Sequence, residues 1–218
     1  MLASAASCGL VFLRLLFTGQ FQFWYLSANL ALAWIPLFFS FTVYGLFQRG
    51  TRGGVRICLY AFLWLIFLPN APYIMTDLIH LHPRPPVPIW FDMMTIVSFA
   101  GTGFLLGFTS LYVMQRIVAE TFGRAAGWLF VLLVLGLTGL GIYIGRFLRW
   151  SSWDLLVSPM RLATDLVQQF SHPCSHPAPI LYTFLFAKVC LVGYLTLYAM
   201  THLKLEEENV NLSRKESS

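Results

Sequence analysis

The stretch FLPNAPYIMTDLIHL, Phe67 to Leu81, decides how this chain folds. It lies where an apolar helix is still crossing a bilayer, yet it carries Pro69, Pro72 and a row of polar groups. The apolar run before it reaches back to Ile57, beyond which Arg56, Arg52 and Arg49 mark a water-facing end. From Ile57 to Asn70 a helix rises roughly 21 Å at about 1.5 Å per residue. The hydrocarbon core is about 30 Å thick, so the break at Pro69-Asn70-Ala71-Pro72 falls below the membrane surface. Backbone freed from helical hydrogen bonding at that depth must be covered by other helices or line a wet cavity. After the break, Tyr73, Thr76, Asp77 and His80 recur at steps of three and four among apolar neighbours. That spacing predicts a short amphipathic helix with one polar stripe.

Asn70 suits either an N-cap of the second half-helix, with Pro72 in its first turn, or a ligand contact. Asp77 and His80, three apart, either bond to one another or serve as an acid/base pair. Ionisable side chains at membrane depth are costly to bury, which marks this stripe as a functional candidate.

Composition points the same way. Of 218 residues, 58% are hydrophobic and 11% charged, and the mean hydropathy is +0.71. These values exclude a soluble domain and predict an all-α, polytopic helical membrane bundle whose surroundings are the lipid bilayer. A net charge of +5 is too small and too scattered for nucleic acid and fits basic loops on one membrane face.

About six transmembrane helices are expected, the third broken by proline. They are Ala3 to Thr18, Phe21 to Phe47 with Pro36 inside, the broken helix, Ile89 to Met114, Trp128 to Gly145 and Ile180 to Met200. Residues 1–202 form one transmembrane domain, and residues 203–218 a polar, disordered cytoplasmic tail. Arg14 lies deep in the first apolar run, which argues against a signal peptide and places its charge where it can snorkel to the surface. Gln115 to Arg124 reads as a polar loop, and Arg146 to Pro179 as the longest connection. Gly103 with Gly107, and Gly141 with Gly145, are spaced as close-packing faces, for helices of this chain or of a partner.

With both termini in the cytoplasm, eight of the 14 basic residues face inward, as the positive-inside tendency requires. If the first segment only lies on the membrane, five helices cross and the N-terminus changes side. In either case the polar stripe and the Arg146 to Pro179 connection share the outer face. Cys174 has no cysteine partner there, so no internal disulfide is expected.

That connection opens with a second motif, GRFLRWSSWD, Gly145 to Asp154. Arg146 and Arg149 sit at a helix C-terminus, where the dipole and the last carbonyls favour cations. Trp150 and Trp153 suit an interfacial belt. Together with Asp154 they are candidates for a site shared with the polar stripe. Asp92, in the first turn of its helix, and Lys188, roughly 12 Å below the end of the last span, are further ligand candidates. No metal site is assigned: Asp77, His80 and His82 form only a loose pattern, and Pro173 and Pro177 exclude a regular helix around His172 and His176.

The pair PNAPYIMTDLIHL and GRFLRWSSWD resembles the signature of a bacterial multi-pass membrane family known as domain of unknown function 1361. The resemblance covers roughly Asn29 to Ala199, and Ser151 stands where that pattern has asparagine. It implies a bacterial plasma-membrane location and the same helical architecture; it implies no activity and no cofactor. From the residues themselves, the leading expectation is an outward-facing polar cavity that binds, and with Asp77 and His80 could transform, a small anionic or lipid-headgroup ligand. A scaffold of a membrane complex and a small ion- or proton-coupled transporter are the alternatives.

Overall fold

The computed structural model describes the chain apart from residues 51–53, 84–85, 151–156, 171–177 and 217–218, and describes the backbone alone at residues 80, 159, 168–170, 178 and 202–216. The described residues are helical almost throughout: α1 (Leu2–Thr18), α2 (Trp24–Gln48), α3 (Val55–Phe67), α4 (Asn70–Tyr73), a 3₁₀ segment (Ile74–His80), α5 (Ile89–Phe122), α6 (Arg124–Tyr143), a π-turn (Ile144–Leu148), α7 (Pro159–Phe170) and α8 (Ala178–Glu216). Among them, five segments are long and apolar enough to cross a membrane, namely Trp24–Gln48, Val55–Ile79, Ile89–Phe122, Arg124–Leu148 and Pro179–Thr201. Large apolar side chains such as Phe38, Phe62, Leu129, Leu133 and Phe184 are exposed on their outer faces, where in water they would be a liability and in lipid they are solvated. The molecule is an all-α helical integral membrane protein.

α1 is shorter than those five but lies along the bundle, antiparallel to both α2 and α5. Ser7 Oγ meets Ser98 Oγ at 2.8 Å and Thr102 Oγ1 at 3.2 Å, while seven residues on, Arg14 meets Asp92. Trp34 Nε1 donates to Ser4 Oγ at 3.2 Å.

Two expectations change on the α5–α6 side and at the connection. The segment from Gln115 remains helical to Phe122, because Gln115 is buried and accepts from the Tyr194 hydroxyl, and Arg116 pairs with Glu120 one turn on. The α5–α6 turn is thereby reduced to Gly123, whose φ of 94° only glycine adopts without strain. The long connection holds the amphipathic α7, which buries Leu162 and exposes Met160 and Arg161.

Two apolar clusters meet at the proline break. One gathers Trp64, Leu68, Phe108, Leu111, Val131, Leu135 and Tyr194. The other gathers Leu26, Leu30, Ala71, Ile74, Ile96 and Phe99. Leu68 belongs to the first and Ala71 to the second, so the interruption sits at the seam between them.

Candidate functional site

The break is resolved by rewired hydrogen bonds while the backbone stays right-handed. Pro72 has no N–H to give the Leu68 carbonyl, so the Ala71 amide takes that acceptor at 3.1 Å. The Phe67 carbonyl, which would have received Ala71, is instead satisfied by Asn70 Nδ2 at 3.0 Å. Asn70 therefore reaches back to the helix it ends rather than capping the one it begins; the short helix that follows has no side-chain cap. Beyond Tyr73 the chain tightens into the 3₁₀ segment, with Thr76 Oγ1 donating to the Tyr73 carbonyl at 2.7 Å.

Glycines grip the break from both sides. A Cβ on Gly103 would lie 2.4 Å from the Ala71 carbonyl oxygen, and one on Gly107 would lie 2.8 Å from Ala71 Cβ. Opposite, a Cβ on Gly141 would stand 2.6 Å from Pro69 Cγ, and one on Gly145 3.2 Å from the Tyr73 ring. Both small-residue faces are thus occupied within the chain.

This close approach brings the two motifs together. Arg146 Nη1 donates to Asp77 Oδ1 at 3.3 Å and Arg146 Nη2 to the Thr76 carbonyl at 2.9 Å. Asn29 Nδ2 adds a contact to Asp77 Oδ2 at 3.3 Å. Asp77 and Thr76 are buried, and Arg146 is 11% exposed with its guanidinium 5.9 Å from the centre of the Tyr73 ring. Arg146 and Asp77 neutralise each other, which is what tolerates both charges at this depth.

Arg149 is placed differently. It ends the π-turn at φ 58° and ψ 29°, the one non-glycine residue with positive φ among the described residues. Its side chain is exposed and lines a cleft of about 640 Å³, inside the roughly 300–1,000 Å³ range of small-molecule sites. Asn29, Asn70, Tyr73 and Trp150 share the polar end of that cleft, while Phe62, Leu65, Ile66, Leu137 and Leu140 line the rest. Leu162 and Leu166 of α7 close one side, and Trp150 Nε1 fastens that helix by donating to Asp165 Oδ2 at 3.1 Å.

Of the residues singled out from sequence, Asn70, Tyr73, Arg149 and Trp150 line the cleft, and Thr76, Asp77 and Arg146 form the polar knot beside it. Asp92 is elsewhere, in a buried pair with Arg14 at 2.7 Å, so Arg14 is held inside the bundle instead of snorkelling outward. Lys188 is exposed on α8 and does not line the cleft. Trp153, Asp154, Cys174, His172 and His176 lie outside the described residues, as does the side chain of His80. Sequence reading missed Asn29 and Asp165. Asn29 was visible as a lone amide within an apolar run; Asp165 gave no signal of its own. No group of three or more His, Cys, Asp or Glu side chains able to hold a metal ion occurs among the described residues.

No curated protein and no solved structure matches the chain. A family match covers residues 28–192, which takes in the break, the polar knot and the cleft. The chain belongs to the family described as Protein of unknown function (DUF1361).

Proposed function

We propose that the protein binds an anionic amphiphile, a lipid or a lipid-like molecule, in the cleft between α3, α6 and α7. The observation that carries this reading is the grading of the cleft from polar to apolar. Arg149, Asn70 and Asn29 stand at one end, and an aliphatic and aromatic groove follows. Arg149 is the cation suited to the headgroup, because the charge of Arg146 is already met by Asp77. Arg146 and Asn29 both donate to the Asp77 carboxylate, so the role we assign Asp77 is to hold Arg146, and binding is the reading we favour over transformation. Trp153 and Asp154 follow directly after the cleft residues in the chain, and we keep them with His80 as headgroup candidates.

The distribution of basic residues supports an arrangement with both termini in the cytoplasm of a bacterial cell, α1 as a sixth crossing and the polar end of the cleft facing outward. Native mass spectrometry of the purified chain tests the binding reading. Phosphatidylglycerol retained over phosphatidylcholine, with the preference cut roughly tenfold in Arg149→Gln, is the expected result. Equal retention of both lipids by the unsubstituted protein overturns it.

One observation favours a scaffold as the second reading. α8 leaves most of its apolar span uncovered, with Phe184, Leu185, Lys188 and Val192 exposed. A helix from another protein would cover that face, and in-membrane crosslinking from position 188 tests for it.

A further inference from the structure

α8 is attached to the bundle along one narrow face. Ala187 packs against Gly139 of α6, where a Cβ on the glycine would stand 2.9 Å from the Ala187 amide nitrogen, and Cys190 and Tyr194 continue that face and are buried. The opposite face is open: 11% of the apolar window of this span is buried, against 28% to 56% in the other four crossings. Along the open face Leu181, Leu185, Lys188, Val192 and Leu195 follow one another at steps of four and three, and all are exposed. That alternation is the seam spacing of two helices in left-handed contact, and a lysine stands at its centre.

The span runs from Pro179 to Thr201, and Lys188 lies roughly 13 Å by helix rise from its nearer end. The lysine stem covers about half of that distance even when it extends toward the interface, so the ammonium stays within hydrocarbon. It makes no hydrogen bond or ion pair among the described residues. A cation at that depth is costly until an opposite charge meets it, and the chain has none to offer. Asp77 is held by Arg146, Asp92 by Arg14, Glu120 by Arg116 and Asp165 by Trp150. The remaining acids, Asp154, Glu206 to Glu208 and Glu216, fall outside the five apolar segments, so a second copy brings no free carboxylate to this level either. We infer that α8 docks a transmembrane helix of another protein, one that carries a carboxylate near mid-membrane against Lys188. Apolar side chains above and below the lysine supply the contact, and the ion pair sets its register. The inference rests on the scaffold reading, whose partner it specifies, and is independent of the α3–α6 cleft.

The test uses the purified full chain in phosphatidylcholine vesicles, with the photoreactive p-benzoylphenylalanine in place of Phe184, one turn from Lys188. The probe is a fluorescent leucine-rich transmembrane peptide with a single central glutamate, or with glutamine there instead. On illumination the glutamate peptide is captured at roughly tenfold the yield of the glutamine peptide. Lys188→Met abolishes that preference and Lys188→Arg keeps it; the same photoreactive residue in place of Phe38, exposed on α2, shows none. Equal capture of the two peptides overturns the inference, as does a preference that persists in Lys188→Met. A preference that vanishes when phosphatidylglycerol is added gives the lysine to a lipid phosphate and overturns it too. Illumination of the Phe184 variant in cell membranes tests the scaffold reading by itself: an adduct there, with equal capture of the two peptides in vesicles, keeps the scaffold and removes the carboxylate, whereas no adduct there removes both.

Discussion

Gly141 stands directly against Pro69: a methyl group added at position 141 would come within 2.6 Å of the proline Cγ. The same crowding recurs at Gly103, where the obstacle is the Ala71 carbonyl oxygen at 2.4 Å. Backbone yields less readily than a ring edge. Gly103→Ala is therefore expected to destabilise by about 3 kcal/mol and Gly141→Ala by about 1–2 kcal/mol. Gly101 and Gly136 have open space at the same position, so alanine there is neutral or stabilising by up to about 1 kcal/mol. Reversible unfolding in mixed micelles gives the order; Gly103→Ala as stable as Gly101→Ala would refute the grip.

Asn70 supplies a side-chain donor to the Phe67 carbonyl, which the proline break leaves without its usual helical amide. Asn70→Ala leaves that carbonyl without its side-chain partner, at a cost of about 1–3 kcal/mol. Asn70→Asp is expected to be worse, since a carboxylate faces the carbonyl with no proton to offer. The difference between the two variants, measured by thermal unfolding, separates loss of a bond from loss of packing.

Single and paired removal of the buried charges should differ in size. Asp77→Leu or Arg146→Met alone strands a charge and is expected to destabilise by roughly 3–5 kcal/mol, whereas the double variant recovers most of that loss. The Arg14–Asp92 pair, at 2% and 1% exposure, should behave likewise. Double-mutant cycles read the coupling, and additive losses would show that neither pair is an interacting unit.

Arg149 holds a left-handed conformation that costs a non-glycine residue roughly 1–2 kcal/mol. Arg149→Gly is expected to raise stability by about that amount while reducing retention of anionic lipid. Stability and binding moving in the same direction would contradict the role given to this side chain.

Much of the architecture could be read from the letters because its causes are local. The apolar runs set the crossings, and Pro69 with Pro72 marked the interruption at its right place. The meeting of Asp77 and Arg146 followed from both motifs lying at one end of the bundle. What could not be read depends on a third element. The role of Asn70 is set by which carbonyl loses its donor, and the partner of Asp92 sits 78 residues away on α1. The continuation of α5 past Gln115 required knowing that Tyr194 would come to meet that amide. α7 was legible but passed over: Leu162, Ala163, Leu166 and Val167 recur at helical spacing between Pro159 and Phe170, within a stretch read only as a long connection.

The glycine clasp on the third crossing also has a bearing on how the chain is made. Asp77 and the kinked turn emerge from the ribosome before α5, and well before the arginine of the π-turn. Until those later crossings insert, the third segment lacks the Arg146 guanidinium beside Asp77 and the glycine faces against its kinked turn. Its final seat in the bilayer is thus completed by helices synthesised after it.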